Sequence, residues 1–231
     1  MTQSFVSPAL RQRVRGWATP IALGLGRVGL TPNSLTVIGF AGTCVAAWAA
    51  ATQQWLLAGV LVLAFGIFDL FDGALARATG KASRFGAFLD STLDRTGEGL
   101  VYAGIVVGAA WVHAYPAAWF AAFALALASV VTYSRAKAEA LGLDGEVGVA
   151  PRPERLVLLA GGLIAAAFLG GVQPLEMFGR NEGLGTRADS TGTLVLALAL
   201  GLIALLSAIT IVQRIVHVKR QLDAKEQEKS S

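Results

Sequence analysis

Four aspartates, Asp69, Asp72, Asp90 and Asp94, stand out as residues that could do chemistry. Asp69 and Asp72 are three apart, and Asp90 and Asp94 four apart. On helices these spacings set each pair on one face. Gly73, Ala76, Arg77 and Gly86 stand between the pairs. Four carboxylates converging from two helix ends make an all-oxygen site suited to a hard divalent cation, Mg²⁺ or Mn²⁺. No thiol cluster competes for the role, because Cys44 is the only cysteine and reads as a small apolar filler. His113 and His217 have no companion at ligand spacing.

The elements that must position these aspartates are apolar. Of 231 residues 55% are hydrophobic, the mean hydropathy is +0.60, and 15% are charged, against about 25% in a soluble domain. The excess is gathered in six segments, 34–51, 55–75, 92–112, 116–136, 155–172 and 192–215. Most approach the roughly 20 residues a helix needs to cross hydrocarbon. The expected fold is therefore an all-α integral membrane protein, with six transmembrane helices in one domain over residues 31–218. The connections at 52–54 and 113–115 are short enough only for tight helical hairpins.

Residues 1–30 carry Arg11, Arg13, Arg15 and Arg27 among Val14, Trp17, Ile21, Leu23, Leu25 and Val28. That pattern predicts an amphipathic helix lying in the interface, with arginines toward anionic lipid. The opening lacks the pattern of a cleavable signal peptide. Pro32 favours a turn, after which Asn33 or Ser34 could cap a helix. Residues 173–191 read as an external polar loop, and 219–231 as a charged, solvated cytoplasmic tail without regular apolar period. The five tryptophans read as interface anchors.

Charge sets the orientation. With six spans and both termini on one side, every Lys and Arg except Arg180 and Arg187 falls on that side. The positive-inside bias makes it cytoplasmic, and the acidic stretch with it. To reach Val112, the third span must begin near Leu93, which puts Asp94 at the rim of the hydrocarbon and Asp69 at a similar level. Carboxylates at that depth need a neutralising partner, and a divalent cation serves best.

The stretch Asp69–Asp94 fits D-x2-D-G-x2-A-R-x8-G-x3-D-x3-D without a departure. It resembles the signature of the CDP-alcohol phosphotransferase family, integral membrane enzymes of phospholipid synthesis. Ala18 to Asn33, Thr132 to Leu143 and Arg152 to Leu156 are similar to the phosphatidylinositol-phosphate synthases of actinobacteria within it. Arg135-Ala136-Lys137 stands where relatives read Lys-Ala-Arg, and Ser83 where Thr also occurs. The resemblance implies two Mg²⁺ or Mn²⁺ ions held by Asp69, Asp72, Asp90 and Asp94. It implies a CDP-lipid site made by Asn33, Ser34, Leu35, Thr36, Gly73, Arg77 and Ser83, and a homodimer. The chemistry agrees. Cleaving a pyrophosphate needs positive charge against the leaving phosphate and a base near the attacking hydroxyl. Asp94, at the far end of the motif, is assigned as that base.

A second constellation is basic. Arg135 and Lys137 end the fourth span, Arg152 and Arg155 open the fifth, and Arg214 closes the sixth. Guanidinium and ammonium groups beside a metal site suit a phosphorylated acceptor better than a neutral one. Arg155 and Arg214, which match acceptor-phosphate positions in the family, come first in that role, then Arg135 and Lys137. The expected reaction is transfer of a phosphatidyl group from CDP-diacylglycerol to 1D-myo-inositol 3-phosphate at the plasma membrane, with no nucleic-acid partner. The alternative acceptor is glycerol 3-phosphate, giving phosphatidylglycerophosphate. A metal-ion transporter is the reading from another class, but it would need its acidic site near the bilayer centre. A non-catalytic scaffold would not need four carboxylates.

Overall fold

The computed structural model describes residues 19–170 and 190–230, and the described residues contain no β-strand. A short helix α1 (19–27) precedes six long ones. These are α2 (Pro32–Ala51), α3 (Trp55–Ala78), α4 (Arg84–Trp111), α5 (Tyr115–Ala140), α6 (Arg152–Gly170) and α7 (Thr191–Ser230). The expected N-terminal helix is seen only in α1, since residues 1–18 lie outside the described residues, as does nearly all of the expected external loop. Ala22 and Leu25 of α1 pack with Leu35, Ala74 and Leu75, so α1 leans on the start of α2 and the end of α3.

Local chemistry fixes the helix ends. Thr31, not Asn33 or Ser34, caps α2: its hydroxyl accepts from Ser34 N at 3.1 Å, and Ser34 Oγ accepts from Thr31 N at 2.8 Å. This reciprocal box is followed by Pro32 in the first helical turn. Ser83 caps α4 by accepting from Gly86 N at 2.9 Å. The α4 helix thus starts eight residues ahead of its apolar run, because a cap and good helix formers suffice for polar turns. Gln53 and His113 close the two tight hairpins with φ of 62° and 60°, the left-handed turn that ends a helix and lets the chain reverse.

Helices α2, α3, α5, α6 and α7 are long and apolar enough to cross a membrane. The α4 helix, 28 residues long, carries Arg84, Asp90, Asp94, Arg95 and Glu98 toward its N-terminal end, and this charge keeps it out of that set. The six long helices close a ring in the spatial order α2, α3, α6, α7, α5, α4 and back to α2. At the α2–α4 seam a Cβ on Gly104 or Gly108 would strike the Ala47 or Ala50 carbonyl, so this G-x-x-x-G pair lets two backbones touch. A core rich in Ala and Leu fills the ring at this level, with Tyr102 and Ile105 fully buried.

The tail expected to be charged and solvated is exposed over 222–227 and forms the end of α7, whose Lys, Gln, Ala and Glu residues carry the helix on past the apolar run. One face of α7 grips the 141–151 loop. Thr210 Oγ1 accepts from Ala150 N at 3.1 Å and Gln213 Oε1 from Val149 N at 3.2 Å. Gln221 exchanges two bonds with the Asp144 backbone, at 3.0 and 2.8 Å, and Lys225 donates to Gly142 O at 3.1 Å.

Candidate metal and nucleotide site

The second half of α3 and the first turns of α4 bring the acidic motif together. Asp69, Asp72 and Asp90 each offer an oxygen within 4.8 Å of the others. Asp72 is buried, and its carboxylate is fixed on both sides. Its Oδ2 accepts from the Thr36 hydroxyl at 2.7 Å, and its Oδ1 from the Gly73 N–H. Asp94 does not join the three-oxygen cluster. It pairs instead with Arg152, whose Nη1 also donates to Asp69 Oδ2 at 3.1 Å. Arg152 was expected in the basic constellation, not among the carboxylates; the motif alone gives no sign of it.

These residues fit a divalent cation. Asp90 Oδ1 is buried with no hydrogen-bond partner, a costly state for a carboxylate oxygen unless something cationic meets it. The donor set is all carboxylate oxygen, which suits Mg²⁺ or Mn²⁺.

Beside the cluster lies a cleft of about 200 Å³ between the starts of α2 and α4 and the end of α3. Asn33, Thr36, Gly73, Arg77 and Ser83 all line it, together with Asp72 and Asp90. Five of the seven expected CDP-lipid residues are thus gathered against the carboxylates. Arg77 folds over Gly73, where a Cβ would lie 3.2 Å from its Nη1. Ser34 and Leu35 are placed elsewhere. Ser34 spends its hydroxyl on the Thr31 cap, and Leu35, 1% exposed, lines a second, largely apolar cavity that runs inward from Asp69 and Asp94.

The basic residues divide. Arg155 is 1% exposed. It donates to Glu98 through Nε at 3.1 Å and Nη2 at 3.2 Å, and to Ala150 O at 3.0 Å. Arg214, also buried, donates to Val147 O at 2.8 Å and to Val131 O. Both guanidinium groups therefore face a phosphate only after exchanging internal partners. Arg135 lies near enough to act on Arg214 electrostatically and is held by Glu139 at 2.8 Å. Lys137 is exposed and, two residues along the helix, points to another side of α5. Sequence reasoning missed Glu98; its signal is its position, one turn after Asp94 on the same helix face.

A helical membrane protein with this acid cluster and adjoining cleft has the architecture of a lipid-headgroup transferase. The chain belongs to the CDP-alcohol phosphatidyltransferase family, whose sequence profile matches residues 29–220. It is a phosphatidyltransferase of phospholipid synthesis. It is 40% identical over 159 residues to the phosphatidylinositol phosphate synthase of Mycobacteroides abscessus, covering 68% of this chain and 72% of that one. It is 34% identical over 216 residues to the archaetidylinositol phosphate synthase of Pyrococcus horikoshii, covering 93% and 97%. The crystal structure of Mycobacterium tuberculosis phosphatidylinositol phosphate synthase with CDP-DAG bound matches with a TM-score of 0.72 at 33% identity, over 87% of this chain and 92% of that one. The same enzyme in complex with manganese and citrate matches with a TM-score of 0.73, at 33% identity, over 87% and 88%.

Proposed function

We propose that the protein transfers the phosphatidyl group of CDP-diacylglycerol to a hydroxyl of 1D-myo-inositol 3-phosphate, releasing CMP. The observation that carries this is the cleft in which Asn33, Thr36, Gly73, Arg77 and Ser83 meet Asp72 and Asp90. It sets a guanidinium group, hydroxyls and a side-chain amide beside a carboxylate cluster. The inositol acceptor draws support from the bacterial and archaeal relatives alike, whose names differ in the lipid but share inositol phosphate.

In this reading the cytidine diphosphate occupies the cleft, with Arg77 as a planar fork for its phosphates. Asp69, Asp72, Asp90 and Asp94 would hold two divalent cations, which would supply positive charge against the pyrophosphate oxygens. Asp94 accepts the proton of the attacking hydroxyl. The hydroxyl oxygen bonds to the β-phosphorus as the bond from that phosphorus to the bridging oxygen breaks, and the electron pair leaves with CMP. Arg135 and Lys137 offer accessible charge to the acceptor phosphate, with Arg155 and Arg214 behind Arg135.

The same reading takes α4 as a sixth span, sets the site and both termini on the cytoplasmic side of the plasma membrane, and pairs two copies as a homodimer. The decisive experiment is an acceptor comparison in detergent micelles with CDP-diacylglycerol and Mg²⁺. Labelled inositol phosphate is expected to enter lipid, and labelled glycerol 3-phosphate is not. Lipid labelled from glycerol 3-phosphate alone would overturn the inositol assignment and keep the phosphatidyl transfer.

A further inference from the structure

We propose that Arg152 is a resident counter-cation of the carboxylate site, holding Asp69 and Asp94 before divalent ions bind and releasing them when the ions arrive. The inference rests on the reading of the aspartates as a cation site. Asp69 belongs to the three-oxygen cluster, yet its Oδ2 accepts from Arg152 Nη1 at 3.1 Å. The same nitrogen takes Asp94. One guanidinium nitrogen thus bridges the two ends of the acidic motif.

Electrostatics says why such a group is needed. Four carboxylates near the rim of a low-dielectric interior repel one another and cost heavily unless neutralised. Arg77, the other arginine beside the cluster, lies over Gly73 on the cleft side. Arg152 therefore supplies positive charge to the Asp69 and Asp94 carboxylates. Coordination says why it must yield. A small hard cation wants near-octahedral oxygen at short range, and Arg152 holds Oδ2 of both Asp69 and Asp94. Release is feasible because the Arg152 side chain is 37% exposed, whereas Arg155, one turn on, is enclosed. The Arg152 backbone stays fixed, since the loop leading to it is pinned along α7, so the side chain alone moves.

The test is Mn²⁺ binding to the purified full-length protein in detergent, read as free Mn²⁺ by electron paramagnetic resonance without substrate. Arg152→Ala is expected to lower the Mn²⁺ Kd by about tenfold or more, the worth of one charge-assisted hydrogen bond no longer competing. Millimolar guanidinium ion is expected to weaken Mn²⁺ binding again in the variant and to leave the parent unchanged. The rise in Tm on adding Mn²⁺ is expected to be larger in Arg152→Ala than in the parent. An unchanged or weaker Mn²⁺ affinity in the variant would overturn the proposal, assigning Arg152 to orienting the carboxylates for the ion. Absence of Mn²⁺ binding in both proteins would overturn the cation site itself. Arg152→Lys, which keeps charge but not the planar fork, is expected to fall between the two, and it serves if the alanine variant fails to fold.

Discussion

Glu98→Gln tests the strut that crosses the ring. Helices α4 and α6 are not ring neighbours, yet Arg155 of α6 reaches Glu98 of α4 through two bonds of 3.1 and 3.2 Å. Arg155 is 1% exposed and Glu98 18%. Removing one partner of a buried ion pair costs about 3–5 kcal/mol, because the surviving charge is left uncompensated. Here Gln retains one acceptor, and Arg155 keeps its bond to Ala150 O. The low end, about 3 kcal/mol, is therefore the expected loss. For a chain of this size about 2–4 °C of Tm accompanies each kcal/mol, so Tm should drop by roughly 6–12 °C. The assay is thermal unfolding of the detergent-solubilised protein by intrinsic fluorescence. Adding Arg155→Met to Glu98→Gln removes the stranded charge and should recover about half of the loss or more. A single variant whose Tm holds within about 2 °C would refute the strut. If the KM for the acceptor changed at constant Tm, Arg155 would be serving the acceptor instead.

Asp94→Asn should lower kcat by about 10²–10⁴-fold, as loss of a proton acceptor does, while equilibrium binding of CDP-lipid persists; full turnover would remove Asp94 from that role. Gly104→Val places a side chain against the Ala47 carbonyl and should destabilise the α2–α4 seam by about 2 kcal/mol or more, read as a fall in Tm. Gln221→Ala with Lys225→Ala removes three bonds to the 142–144 segment. Limited proteolysis at that loop should then accelerate by about fivefold or more, as expected if opening becomes cheaper by about 1 kcal/mol. Unaltered cleavage would show that Thr210 and Gln213 hold the loop unaided.

The acidic motif was legible because its spacing is a helix rule written twice, and α3 and α4 obey it. The hairpins at 52–54 and 113–115 were legible from length alone. The first turns of α4 were not, since apolar counting passes over a helix that begins with Arg84 and a serine cap. The tail of α7 escaped for the same reason: Gln221 and Lys225 bind a loop distant in sequence, which no local pattern announces. Arg152 and Arg155 differ only by one helical turn, and depth within the ring decides their partners. A sequence shows that both are basic, not that one meets aspartates and the other Glu98. Likewise Ser34 gives its hydroxyl to the Thr31 cap, a partner that its place in the expected CDP-lipid stretch does not announce.

The grip of α7 on the 141–151 loop bears on how the protein is made. Ribosomes deliver Asp69 through Asp94 before the helix that anchors the approach to Arg152. Because α6 and α7 stand between α3 and α5 in the ring, a nascent chain ending after α5 has its acidic motif but neither the closed ring nor the arginine across from it. Completion of the carboxylate site is thereby deferred until α7 has been made, and synthesis arrested early in α7 would leave the 141–151 loop without its anchors.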